Sequence, residues 1–123
     1  MTKTCLVVDD SRVIRKVASG IVGKLGFVVS EAEDGAKALE YCQTHPLPDL
    51  ILLDWYMPVM SGIEFLPQLR LLPGGDHPVV IFCTTENNME NIQQAIMAGA
   101  NEYVMKPFDE EILSGKLSQV GMP

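Results

Sequence analysis

The sequence lacks any uninterrupted apolar run of the roughly 18 residues that a membrane-spanning helix requires. Its first residues, 1–4, lead directly into a short strand-like segment, without the charged and apolar regions of a signal peptide. The 123 residues are 47% apolar and 20% charged, which is typical of one globular domain. We therefore predict a single domain, residues 1–123, that lies in the cytoplasm and makes no contact with a membrane.

Basic residues are also scarce, with 9 Lys and Arg against 16 Asp and Glu, so the net charge is −7. Nucleic-acid binding depends on clustered Lys and Arg that neutralise phosphates, so the composition argues against nucleic acid as a direct partner. Four of the nine basic residues lie in one stretch, Arg12, Arg15, Lys16 and Lys24. This stretch is either a solvated helix surface or a contact face for another protein.

Cysteine is limited to Cys5, Cys42 and Cys83, which are widely spaced. This pattern fits neither a disulfide framework nor a CxxC metal site, so we predict buried, reduced cysteines. His45 and His77 each precede a proline, without a second ligand at metal-binding spacing. We interpret both as ordinary loop histidines.

Five short apolar runs are typical of buried strands, and the segments between them have helical spacing of apolar residues. Gly26 and Gly99 follow two helical segments, where a left-handed C-terminal cap favours glycine, and Ser61 with Glu64 fits a capping box. Five alternations of strand and helix predict a three-layer α/β fold with a parallel sheet covered on both faces. The predicted strands are 5–8, 27–29, 50–53, 79–83 and 103–105, and the predicted buried stripe of the first helix is Val13, Ile14, Val17, Ala18, Ile21, Val22 and Leu25.

Chemically reactive side chains follow the ends of four of these runs. Asp9 and Asp10 follow the first, Asp54 the third, Thr84 the fourth and Lys106 the fifth. In open parallel sheets the functional crevice lies beyond the carboxyl ends of the strands. We therefore expect three carboxylates, a hydroxyl and an ammonium to converge at one edge of the sheet.

This set of side chains predicts phosphoryl transfer with a metal ion. Clustered carboxylates repel one another, and a hard cation with oxygen ligands, such as Mg²⁺, relieves the repulsion. Helix capping explains Asp10 alone, but not Asp9, Asp10 and Asp54 together with Lys106. Because a metal and a lysine neutralise the oxygens of a transferring phosphoryl group, we predict Asp54 as a nucleophile that forms a reversible acyl phosphate.

Two further residues are candidates for transmitting the change. We predict that the Thr84 hydroxyl donates to a phosphoryl oxygen and that Tyr103, in the last strand, changes its packing. The ordinary interpretations are a turn hydroxyl and a plain core aromatic. The Lys106–Pro107 bond is a candidate for the cis form, which only X-Pro bonds adopt at low energetic cost.

With these residues in view, the chain resembles the receiver domains of two-component response regulators, most closely the stand-alone kind related to the chemotaxis receiver. The resemblance spans nearly the whole chain, and its segments occur in the family's order and approximate spacing. They are VVDDS at 7–11, LDWYMP at 53–58, SG at 61–62, TT at 84–85, AGA at 98–100 and KPF at 106–108.

The resemblance implies a flavodoxin-like (βα)5 fold with the strand order 2-1-3-4-5. It also implies a switch that catalyses only its own phosphorylation and dephosphorylation, on Asp54, with a sensor histidine kinase or a phosphotransfer protein as donor. The implied ligands of Mg²⁺ are Asp9, Asp10, Asp54 and the backbone carbonyl of Tyr56. Thr84 and Tyr103 match the family's coupled pair, and Lys106 matches its phosphate-binding lysine, followed by a cis peptide to Pro107.

Tyr56 departs from the polar residues that are frequent at its position in the family, which leaves the lifetime of the phosphoryl group open. No output domain follows the last helical segment, so we expect output by contact with a downstream protein. No exposed heptad or long apolar patch requires association, so we expect a monomer. Charge placement suggests that Arg12, Arg15 and Lys16 contact the donor kinase. The last strand, the last helix and the helix from Asn87 are expected to form the output face.

Three other functions fit the sequence less well. A phosphatase that acts through an aspartyl-phosphate needs a substrate cap, and usually an acid/base aspartate where this chain has Tyr56. A flavin carrier needs Ser, Thr and backbone amides around a phosphate after the first strand, where this chain has Asp9 and Asp10. A module that binds partners without phosphorylation has no need for the set of acids, threonine and lysine.

Overall fold

A computed structural model describes residues 3–85 and 89–122 and contains one five-stranded sheet. All strand pairs are parallel, and the strand order is β2-β1-β3-β4-β5, so the predicted flavodoxin-like α/β fold is confirmed. The strands are β1 Thr4–Val8, β2 Val28–Ala32, β3 Leu50–Asp54, β4 Val79–Thr84 and β5 Glu102–Met105. The helices are α1 Arg12–Lys24, α2 Gly35–Thr44, α3 Gly62–Arg70, α4 Met89–Met97 and α5 Glu110–Gln119.

The sheet separates two apolar clusters, because successive strand residues point to opposite faces. Leu6 and Val8 of β1 pack with residues of α2, α3 and α4, whereas Cys5 and Val7 pack with residues of α1 and α5. The central strands are therefore buried on both sides, as their continuous apolar runs predict. Among the described residues, no helix has the length and apolar character needed to cross a membrane.

The three cysteines are free and buried, as predicted. Burial raises the pKa of Cys42 to about 11 and that of Cys83 to about 12, and it also raises the pKa of Cys5. Because the thiolate is the reactive form, these thiols are inert at neutral pH. They serve as small apolar core residues.

The buried stripe predicted for α1 is only partly correct. Ala18 and Val22 are buried, but Val13 and Val17 are 70% and 55% exposed. Residues four apart share a helix face, so Ala18 and Val22 form one line and Val13 and Val17 form a neighbouring one. The sheet covers only the first line, which leaves an apolar strip of α1 in solvent.

Several predicted helix ends are present. Ser61 and Glu64 form the capping box, with each side chain accepting from the other residue's backbone N–H. Gly26 and Gly99 have φ of 97° and 116°, in the left-handed region. Asn87, from which we expected α4 to begin, lies outside the described residues.

Candidate functional site

Three carboxylates meet at the carboxyl edge of the sheet. β1 and β3 are neighbours with Val8 opposite Leu53, so Asp9 and Asp10, which follow β1, lie beside Asp54, which ends β3. One carboxylate oxygen from each lies within 4.8 Å of the other two. Asp9 is buried, Asp54 is half-buried and Asp10 is exposed, so the cluster opens to solvent on the side of Asp10.

Gly62 allows α3 to begin directly against the end of β3. Its N–H donates to the carbonyl of Trp55 over 2.9 Å. A Cβ atom at this position would lie 2.1 Å from the carbonyl oxygen of Asp54 and 2.9 Å from the Phe82 ring. Any larger residue would therefore displace the strand end that carries Asp54.

Lys106 reaches the cluster from the end of β5. Its Nζ donates to Asp9 Oδ2 over 2.6 Å and to Asp54 Oδ1 over 3.0 Å. Its backbone N–H donates to the carbonyl of Thr84, and the Lys106–Pro107 peptide is cis. Burial lowers the pKa of Lys106, but the hydrogen bonds and charges of Asp9 and Asp54 outweigh it and raise the pKa overall. The ammonium is therefore charged.

The negative charge around Asp54 is only partly compensated by Lys106. Burial raises its pKa to about 6, the charge and hydrogen bond of Lys106 oppose the rise, and the charges of Asp9 and Asp10 add to it. Within the described part of the chain, the cluster of three carboxylates is hydrogen-bonded to one ammonium. Hard oxygen ligands with excess negative charge suit Mg²⁺, so the residues present fit that ion.

The carboxylate of Asp9 is held at both oxygens. Oδ1 accepts from the backbone N–H of Ser11 over 2.9 Å, and Oδ2 accepts from Lys106. Ser11 is the N-cap of α1, with its Oγ accepting from the N–H of Ile14 over 3.3 Å. The start of α1 and the orientation of Asp9 are thus determined by the same turn.

The two candidate coupling residues lie on adjacent strands. Thr84 is buried at the end of β4, and Tyr103 of β5 is half-buried against the cluster of α2, α3 and α4. Nζ of Lys116, on α5, lies 4.7 Å from the centre of the Tyr103 ring and 3.5 Å from Glu102 Oε1. Lys116 was not singled out in the sequence, because no spacing rule relates positions 103 and 116.

A cavity of about 400 Å³ adjoins the cluster. Its polar wall includes the three aspartates, Lys106 and Thr85, and its apolar wall includes Val17 and Phe108. Thr85 is exposed and was not a predicted site residue, whereas the predicted Thr84 is buried. Tyr56, whose carbonyl is a predicted ligand, lies in the loop after β3 with its side chain 58% exposed.

The basic stretch of α1 divides in two. Arg12 and Lys16 are exposed, as a contact face requires. Arg15 has only 15% of its side chain exposed, and its guanidinium bonds to Glu31 and to the carbonyl of Asp9. Arg15 is therefore engaged within the molecule rather than presented to a partner.

Comparisons with known proteins agree on one family. The sequence of residues 5–118 matches the family model of the response regulator receiver domain. The chain is 33% identical over 120 residues to the chemotaxis protein CheY of Halobacterium salinarum, covering 98% of each chain. It is 34% identical over 116 residues to CheY of Pseudomonas aeruginosa, covering 94% of this chain and 93% of that protein. The solved structure of the chemotaxis response regulator CheY4 of Vibrio cholerae has a TM-score of 0.90 at 34% identity and covers 98% of this chain and 99% of that chain.

Proposed function

The chain belongs to the response regulator receiver family, and from this premise we propose that it is a CheY-like switch whose phospho-acceptor is Asp54. The observation that carries the proposal is the charge balance of the site, with three carboxylates grouped within 4.8 Å and Lys106 bonded to two of them. Such a site has excess negative charge and favours a divalent cation, and the cation together with Lys106 would then neutralise the oxygens of an incoming phosphoryl group. The donor is a sensor histidine kinase or a phosphotransfer protein.

In this proposal Asp9, Asp10, Asp54 and the Tyr56 carbonyl hold Mg²⁺, which when bound neutralises the charge of the phosphoryl oxygens. A carboxylate oxygen of Asp54 forms a bond to phosphorus while the bond from phosphorus to the donor imidazole nitrogen breaks, and the imidazole takes up a proton. Lys106 lies 3.0 Å from Asp54 Oδ1, close enough to transfer its hydrogen bond to a phosphoryl oxygen.

The signal then passes to a partner protein. The Thr84 hydroxyl donates to the phosphoryl group and Tyr103 changes its packing. These changes shift the equilibrium between two conformations that present different surfaces. The output face comprises α4, β5 and α5, whose exposed apolar side chains include Met89, Ile96 and Ile112. We place this monomeric domain in the cytoplasm, and a motility target is the first to test because the relatives are named for chemotaxis.

Trp55 provides the test. It is buried, adjacent to Asp54, and its ring centre lies 5.1 Å from that of Phe82, so its fluorescence is sensitive to changes at the site. We expect a saturable response to Mg²⁺, followed by a second change on addition of a small acyl-phosphate donor. The second change should be absent in Asp54→Asn. A donor-dependent change of the same size in that variant would contradict the proposal.

A further inference from the structure

Arg15 occupies an unusual position for an arginine on a surface helix. Its side chain is only 15% exposed, whereas its neighbours Arg12 and Lys16 are exposed. Its Nη1 donates to the backbone carbonyl of Asp9 over 2.7 Å, and its Nε donates to Glu31 Oε1 over 3.2 Å. One guanidinium therefore joins the edge strand β2 to the end of β1.

The acidic loop, defined as residues 9–11, depends on this contact. Sheet pairing ends at Asp9, whose N–H donates to the carbonyl of Ala32. Beyond this point the main chain must turn so that Asp9 and Asp10 face Asp54. The carbonyl of Asp9 lies at the start of the turn, and Nη1 of Arg15 donates a hydrogen bond to it.

We propose that Arg15 is a positioning residue for the acidic loop, and that Glu31 holds its guanidinium in place. The inference rests on the proposed function, because the metal that the loop serves is part of that function. Arginine suits the role since its planar guanidinium presents several N–H donors in a fixed fork and can bond two acceptors at once. Outer contacts of this kind orient metal ligands without touching the metal.

The charge of Arg15 and its positioning role predict opposite effects on Mg²⁺. As a cation near the site, Arg15 repels Mg²⁺, so removing the charge alone tightens binding. As the residue that orients the loop, Arg15 supports the ligands, so removing it weakens binding by about tenfold, a typical effect of losing an outer contact. The direction of the change decides between the two.

The experiment is a Mg²⁺ titration followed by Trp55 fluorescence. We expect Arg15→Met to bind Mg²⁺ about tenfold more weakly than the wild type. The matched control is Arg12→Met, which removes the same charge from an exposed position on the same helix and should tighten binding slightly. Binding by Arg15→Met that equals or exceeds that of the wild type would overturn the inference.

A conservative variant and a structural control refine the result. Arg15→Lys lacks the fork but keeps an ammonium that can donate to one of the two acceptors, so its Mg²⁺ affinity should fall between those of the wild type and Arg15→Met. If Arg15→Met does not fold, Glu31→Gln weakens the anchor instead, and we expect a loss of Mg²⁺ affinity of a few fold. Arg70→Met removes an arginine bonded to the carbonyls of Gly75, Pro78 and Gly99. It should lower the thermal midpoint without changing the affinity for Mg²⁺.

A metal-free measurement separates this inference from the proposed function. In EDTA, the amide of Ser11, which donates to Asp9 Oδ1, should exchange its hydrogen faster in Arg15→Met than in the wild type. Unchanged exchange at Ser11 would overturn the positioning role. A wild-type protein that binds no Mg²⁺ would instead overturn the proposed function.

Discussion

Asp49 immediately precedes β3 and Asp54 is its last residue, and the surroundings of the two aspartates have opposite effects on the pKa. Asp49, at the amino end, accepts from His77 over 2.9 Å and from the backbone N–H of Thr4 over 2.9 Å, and these hydrogen bonds lower its pKa. Asp54, at the carboxyl end, has its pKa raised to about 6 by burial and by the charges of Asp9 and Asp10, against the opposing effect of Lys106. Only four residues of β3, 50–53, separate a carboxyl group whose pKa is lowered from one whose pKa is raised.

The difference separates stability from reactivity. A carboxylate whose partners favour the charged form stabilises the fold at neutral pH, as Asp49 does. A carboxylate that is partly buried and held among like charges costs stability, and a bound cation relieves the cost, as proposed for Mg²⁺ beside Asp54. Substitutions at the two aspartates should therefore differ in their effects: those at Asp54 should change phosphoryl labelling, and those at Asp49 should change stability.

The largest expected effect is at Asp54. Asp54→Asn should lose phosphoryl labelling by a small acyl-phosphate donor completely, because no carboxylate oxygen remains to attack phosphorus. The matched variant Asp49→Asn should be labelled at the wild-type rate. Incorporation of radiolabelled phosphate measures both, and labelling of Asp54→Asn would show that another residue is the acceptor.

A smaller loss is expected at the ammonium. Lys106→Met should slow labelling about a hundredfold, a typical cost of removing one preorganised donor from a site of developing charge. Its affinity for Mg²⁺ should not fall, because a competing cation has been removed. Single-turnover labelling and the Trp55 titration distinguish the two effects, and a variant that lost Mg²⁺ binding but kept its labelling rate would reverse this assignment.

The pH dependence of stability should differ at the two aspartates, beginning with Asp54. Its pKa in the folded protein is raised above the ordinary 3.8, so ionisation opposes folding, and metal-free stability falls as the pH rises from about 4 through about 6. Asp54→Asn should then be more stable than the wild type at pH 7.5 by on the order of 2 kcal/mol, with the gain vanishing near pH 4. Urea unfolding in EDTA measures the difference, and an equal gain at both pH values would exclude this cause.

Substitution of Asp49 should change the stability in the opposite direction. Its pKa in the folded protein is lowered below the ordinary 3.8. Its contribution to stability is therefore fully present above pH 3.8 and is lost as the pH falls through the pKa of the folded state. Asp49→Asn should cost about 1 kcal/mol at pH 7, a typical net value for such hydrogen bonds, and less near pH 3. Urea unfolding at the two pH values tests this, and a cost that grew on acidification would contradict it.

The smallest expected effect on stability concerns the backbone of two loops, one after β3 and one before β4. Val59, in the loop after Asp54, has φ of 69° although it is β-branched. Gly74, in the loop before β4, has a similar φ of 73° but no side chain. Val59→Gly should stabilise the protein by about 0.5–1 kcal/mol through relief of this strain. Gly74→Ala should destabilise it by a similar amount. Thermal unfolding of both variants tests the pair, and destabilisation by Val59→Gly would show that its side chain supports the loop.

Much of the fold was readable from local pattern. The five apolar runs predicted all five strands, although β2 extends to Ala32, beyond the predicted end at residue 29, because its polar residues pair along an exposed edge. The error at Val13 and Val17 has a different origin, since the width of a helix face that a sheet can cover is not encoded in the helix itself. For the same reason nothing in the sequence distinguished the inward Arg15 from the outward Arg12.

The sequence by itself determined which side chains stand at the strand ends and with them the parallel α/β fold, and it suggested the kind of chemistry that we propose. Strand ends are local features, and alternation of strand and helix leaves few topologies. Only the tertiary structure decided the electrostatic state of each group. The pKa of Asp54 is raised and that of Asp49 is lowered, and Arg15 is hydrogen-bonded within the molecule. A pKa depends on burial and on distances between residues remote in the chain, and these exist only once the chain has folded.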